Sequence, residues 1–133
     1  MWNPTPTIGD LGIDPAAVRK LLPHLDSFVK WDLLRFLHEA PDIPTRVEDL
    51  ARYLGRDETE LKPAASALAV AGILKQEEKG GSYRYSLVED EEIRELLGHL
   101  VERYQEDRLV RLAISAGILK AQRNANRLIY AAR

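Results

Sequence analysis

The sequence predicts a mainly α-helical protein carrying one small β-hairpin. Apolar residues return every three or four positions through most of the chain, the period of a helix with one buried face. Gly55 and Gly72 interrupt that pattern between short segments. Only Ile73–Val88 alternates instead, around Lys79-Gly80-Gly81-Ser82.

Each element follows from local chemistry. Residues 1–13, rich in Pro, Thr and Gly, read as a loose arm. Asp14-Pro15 starts a short helix, with Asp as N-cap and Pro at a position where its missing N–H costs nothing. Pro23 ends or bends it. Asp26 is the expected cap of a helix over Ser27–Glu39, whose Phe28, Trp31, Leu34 and Leu37 form a stripe widened by Leu33 and Phe36. That much apolar surface calls for more than one packing partner. After the turn Ala40–Pro44, Thr45 and Glu48 have the spacing of a capping box for a helix that buries Val47, Leu50, Ala51 and Leu54 and stops at Gly55.

Asp57 and Glu60 repeat that spacing before a helix with Leu61, Ala65, Leu68 and Ala69 inside. Pro63 removes one of its hydrogen bonds, so either its first turn is irregular or the regular helix starts nearer Pro63. In the hairpin, Tyr83, Tyr85 and Leu87 share one face while Arg84, Ser86 and Val88 share the other. From Glu89 the helical period returns, with acidic residues in the first turn and Ile93, Leu96, Leu97, Leu100, Val101 and Tyr104 as a seam. Beyond Asp107 the phase slips, and Leu109, Val110, Leu112, Ala113, Ile114, Ile118 and Leu119 cover nearly every side. Such a segment needs partners all round, here a second subunit. The repeated "AGILK" at 71–75 and 116–120 has flanks that do not align and reads as chance.

Composition narrows the function. At 133 residues, with 45% hydrophobic and 30% charged, the chain has the make-up of one ordinary globular domain. The absence of cysteine excludes disulfides, thiolate zinc sites and cysteine nucleophiles. The first residues lack the basic and apolar regions of a signal peptide, and no uncharged run has membrane-spanning length, so a cytoplasmic protein without membrane contact is expected. The net charge of −2 divides unevenly: residues 1–107 hold 13 basic and 21 acidic side chains, residues 108–133 six basic and no acidic one. A basic tail of this kind meets something anionic or folds against its own acidic body.

The order helix, helix, turn, helix, hairpin, helix is that of a winged helix-turn-helix with additional N- and C-terminal helices. The chain from Ser27 to Val88 resembles the arsenical-repressor-type and multiple-antibiotic-resistance-type bacterial transcriptional regulators. The match is carried by "WDLLRFL" at 31–37, "VEDLARYLG" at 47–55, "LAVAGIL" at 68–74 and "GGSYRYSL" at 80–87. The same core is also similar to the N-terminal dimerisation domain of small-molecule O-methyltransferases, which binds no DNA, so fold alone does not decide function. The resemblance to the regulators implies that the helix after Asp57 enters a major groove while basic wing residues reach phosphates. It places Asp57, Glu58, Thr59, Glu60, Lys62, Pro63 and Ser66 on the exposed side of that helix and Lys79 to Arg84 at the wing tip. The candidate DNA-binding residues are Arg52, Arg56, Thr59, Lys62, Ser66, Lys79 and Arg84. The sequence departs from the regulators here, with three carboxylates and one lysine where Ser, Thr, Arg, His or Gln is usual. Carboxylates repel a phosphate backbone.

Three motifs have alternative readings. The wing tip is a phosphate grip or a hairpin whose glycines serve only its turn, and its tyrosines are packing residues rather than base platforms. Glu95, His99 and Glu102 share a helix face with metal-ligand spacing, against a surface cluster with Arg103; no metal, cofactor or catalytic residue is assigned. The tail from Arg108 is a dimerisation helix rather than a membrane-surface one. The expected organisation is an arm and short helix over residues 1–26, a winged helix-turn-helix domain over 27–88, and a C-terminal dimerisation segment over 89–133. The expected function is a homodimeric transcriptional regulator that binds double-stranded DNA; the alternative is a winged helix kept for protein–protein association.

Overall fold

A computed structural model describes residues 11–131. The expected arm falls almost wholly outside them. The elements run α1 (Pro15–Lys20), a 3₁₀ turn (Leu22–His24), α2 (Phe28–Glu39), β1 (Thr45–Arg46), α3 (Val47–Leu54), α4 (Glu58–Val70), β2 (Leu74–Lys79), β3 (Ser82–Leu87), α5 (Glu91–Glu106) and α6 (Arg108–Ala131). This is the mainly helical fold with one small hairpin that the periodicities predict.

Helix α2 is the hub. Its Trp31, Leu33, Leu34 and Leu37 are buried, and it packs against α3, α4, α5 and β3. Trp31 meets Tyr104 of α5 edge-on at 5.1 Å between centroids, a geometry in which the positive ring edge faces the negative ring face. Leu61, Ala65 and Leu68 of α4 and Leu97 and Leu100 of α5 complete the core around it. Gly98 lets α5 pass close to α2, since a Cβ there would stand 3.3 Å from His38 Cε1.

The hairpin is antiparallel, with Leu74 opposite Leu87 and Lys79 opposite Ser82. Gly80 and Gly81 both have positive φ, 60° and 80°, as a two-residue turn matched to strand twist requires. A third strand was not expected. Thr45 and Arg46 pair with Tyr85 and Arg84, giving the order β1-β3-β2.

That strand removes the Thr45–Glu48 capping box. Thr45 is drawn into the sheet, its hydroxyl donates to Ile43 O at 3.3 Å, and Arg46 takes the N-cap position without a side-chain bond. Asp57 is the N-cap of α4 but makes no side-chain capping bond either, and the Glu60 side chain accepts from Arg56 instead of reaching back to Asp57 N. Ser27, not Asp26, caps α2: its Oγ accepts from Lys30 N at 3.2 Å, while Asp26 forms an ion pair with Lys30 Nζ at 2.8 Å. Helix α5 begins at Glu91, after Asp90 accepts from Ile93 N, rather than at Glu89. Helix α4 runs through Pro63 without a break, so its regular part does not wait for the proline.

The phase slip after Asp107 is a helix break. Asp107 leaves helical geometry and its Oδ1 accepts from Leu109 N at 2.9 Å and Val110 N at 3.4 Å, capping α6. Burial opposes the charged form of this carboxyl, but those amides and Arg103 hold its pKa below the ordinary value. Arg111 in turn donates to Tyr104 O and Gln105 O, satisfying carbonyls that α5 leaves open at its end. Val110, Ala113, Ile114 and Ile118 of α6 are buried, while Leu109, Leu112 and Leu119 remain 49%, 47% and 42% exposed. The apolar surround is therefore two faces, one packed within the chain and one open.

Candidate nucleic-acid interface

Helix α4 presents two kinds of surface. Leu61, Ala64, Ala65 and Leu68 point inward; Thr59, Lys62, Pro63 and Ser66 are exposed. Lys62 and Ser66 line an open groove of about 390 Å³ together with Glu48, Gln76, Gly81, Ser82 and Tyr83. The groove joins the outer side of α4 to one face of the wing. Tyr85 closes its floor, buried and donating its hydroxyl to Gln76 Oε1 at 2.8 Å; burial raises its pKa above the usual phenol value. Tyr83, two residues towards the tip, is exposed on the same face.

The structure separates the seven candidate residues. Thr59, Lys62, Ser66 and Lys79 are exposed, and Lys79 forms no ion pair among the described residues. Lys62 Nζ lies 3.5 Å from Glu58, one turn back on α4. Arg56 faces inward: its Nε and Nη2 donate to Asp32 Oδ2 at 3.1 and 2.7 Å, and Nη1 reaches Glu60 at 3.4 Å. It ties the start of α4 to α2. Arg52 is exposed but donates to Asp49 Oδ1 at 2.6 Å. Arg84 lies on the opposite side of the sheet from Tyr83, in a second groove with Phe36, Arg46 and Tyr53. Residue types alone could not reveal these pairings, because Arg56 and Asp32 stand 24 positions apart.

Arg46 is the charged residue that the sequence reading missed, because a two-residue strand leaves no periodic signal. Its Nε donates to Asp49 Oδ2 at 3.2 Å. That bond holds the Asp49 carboxyl below the ordinary carboxylate range and raises the Arg46 guanidinium in return. On the hairpin, Lys75 Nζ contacts Glu77 at 3.2 Å, which raises the Lys75 pKa.

Glu95, His99 and Glu102 do not form the expected cluster with Arg103. That guanidinium turns to Asp107 and to the carbonyls of Leu11 and Gly12. Among the described residues no group of three or more His, Asp or Glu side chains could hold a metal ion, and no helix is long and apolar enough to cross a membrane.

A tri-helical core with a two-stranded wing, α3 and α4 joined by a tight turn, defines a winged helix-turn-helix protein. Within that class the chain belongs to the family described as HVO_A0114, whose model matches residues 27–93. No curated protein matches the chain. Among solved structures it is similar to HlyU from Vibrio cholerae N16961, with TM-score 0.57 and 19% identity over 68% of this chain and 95% of that one. The transcriptional regulator HlyU from Vibrio vulnificus CMCP6 aligns with TM-score 0.55 and 20% identity, over 67% of this chain and 88% of that one. At such identities the likeness establishes the fold.

Proposed function

We propose that the chain is a DNA-binding transcriptional regulator of the winged-helix type, akin to the arsenical-repressor and multiple-antibiotic-resistance regulators, acting in the cytoplasm as a homodimer. Residues 27–88 form the DNA-binding unit, residues 1–26 an arm with its short helix, and residues 89–133 the dimerisation segment. The observation that carries this reading is the shared groove. Lys62 and Ser66 of α4 and Gly81, Ser82 and Tyr83 of the wing line one open surface, so helix and wing can meet one duplex together. Thr59 and Lys79 are exposed on the same helix and the same wing. The exposed Leu109, Leu112 and Leu119, with the exposed Ala116, follow the three–four spacing of a helix seam and supply a second copy with an apolar face.

The expected affinity is modest. With Lys79 from each of two protomers on phosphate and Lys62 still held by Glu58, log affinity falls against log salt with a slope of about −1.8, or roughly twelvefold between 50 and 200 mM. Fluorescence anisotropy on a labelled duplex tests the reading. Binding at low salt, lost in a Lys62→Glu/Lys79→Glu variant whose circular dichroism is unchanged, supports it; binding that survives the double reversal refutes it.

A second reading is favoured by the charge at the start of α4. Asp57, Glu58 and Glu60 crowd that end, and two of them engage Lys62 and Arg56. An acidic helix end suits a basic protein partner better than a phosphate backbone. Binding to no duplex at any salt would select this reading.

A further inference from the structure

We propose that the groove behind the wing, on the face of the sheet opposite Tyr83, binds a small phosphate monoester carrying a flat apolar group. The groove has a volume of about 370 Å³ and is lined on its polar side by Arg46, Asp49 and Arg84 and on its apolar side by Phe36, Ile43 and Tyr53. The site does not depend on the DNA reading, since it lies on the other side of the sheet from the α4 groove.

The sheet register creates its cationic wall. Arg46 and Arg84 stand directly opposite each other on β1 and β3. Like charges in that relation repel and need an acid between them or an anion brought from outside. Arg46 has Asp49. Arg84 has no ion pair among the described residues, and its Nε is buried without a hydrogen-bond partner. The acid across from it on β2 is Glu77, whose carboxylate is engaged by Lys75 at 3.2 Å. A buried donor left without an acceptor marks a place where an acceptor is missing. Arg52 also contacts Asp49, so two guanidiniums share that one carboxylate while Arg84, lining the same groove, has no acid of its own, and the local balance is positive. This stands out in a body where residues 1–107 are strongly acidic.

The choice of a phosphate follows from the guanidiniums. Two planar forks side by side offer parallel N–H donors to several oxygens of one dianion. The flat group follows from the other wall. Phe36 and Tyr53 stack at 5.6 Å with planes 20° apart, and Tyr53 and Ile43 stay 62% and 61% exposed. Exposed aromatic and branched side chains beside a charged wall suit a ligand with one apolar and one anionic end.

Calorimetric titration of the full chain with phenyl phosphate, inorganic phosphate and phenol tests the proposal. Phenyl phosphate should bind more tightly than inorganic phosphate, and phenol should give no heat of binding. Arg84→Gln should weaken phenyl phosphate by about tenfold or more, the loss of one charge-assisted contact. Tyr53→Ala, at a 62% exposed position, should weaken phenyl phosphate while leaving inorganic phosphate unchanged. Lys79→Gln should alter neither. No binding of either anion overturns the proposal, as does Arg84→Gln binding phenyl phosphate like the native chain. If Arg84→Gln instead lowers duplex affinity and phenyl phosphate does not bind, the groove is a backbone contact and the small-ligand site is overturned.

Discussion

Replacing Glu58 by Gln should tighten DNA binding, and a gain cannot come from misfolding. Glu58 lies in the first turn of α4, with its Oε2 3.5 Å from Lys62 Nζ. The pair is exposed, so breaking it costs the fold little, roughly 0.3–0.5 kcal/mol for an i,i+4 contact. Losing a negative charge near the helix N-terminus costs about 0.3–1 kcal/mol more. Against this, the variant releases one lysine per protomer to phosphate and removes one repelling carboxylate. Two added contacts in a dimer steepen the salt slope by up to about 1.8. The gain over the native protein should therefore shrink about twelvefold as salt rises from 50 to 200 mM. Anisotropy titrations of both proteins on the same labelled duplex, at four or more salt concentrations, read slope and affinity together. An unchanged slope, or weaker binding at every salt, would show that Lys62 does not face the duplex.

Other consequences follow from particular contacts. Leu112→Glu with Leu119→Glu should give a folded monomer in sedimentation experiments, because each charge enters the proposed seam; a dimer that persists would place the interface elsewhere. Trp31→Ala removes the largest fully buried side chain and its edge contact with Tyr104, and should cost about 3–5 kcal/mol in denaturant unfolding. Asp49 contributes stability that is present above its unfolded pKa of about 3.9 and is lost as pH falls through its lower folded value. Arg46→Gln should bring the Asp49 titration, followed by carboxyl NMR, back towards the ordinary range, whereas an unchanged titration would remove Arg46 as its cause.

The parts of the fold written in short-range chemistry were legible. Gly55 and Gly72 end helices with φ of 64° and 80°, and Gly80-Gly81 makes the turn that its neighbours announce. The stripe on α2 needed several partners, and it has them. What escaped was decided at long range. Thr45 has two uses, capping a helix or pairing with Tyr85, and only the tertiary fold chooses the second. Asp57 and Glu60 have box spacing, yet Arg56 takes Glu60. The outward residues of α4 were legible from the resemblance to the regulators, but their electrostatic state was not. Arg56 reads as a surface cation until Asp32 arrives from α2. Arg84 reads as a wing-tip contact until the strand alternation puts it on the face away from α4.

Hydrogen–deuterium exchange of the full chain, with and without a random duplex at low salt, tests most directly whether α4 and the wing meet DNA as one surface. Slower exchange in peptides from Glu58–Val70 and Leu74–Leu87, with α1 unaffected, is the predicted result. Protection of neither segment, or of α2 and α6 in their place, would contradict it.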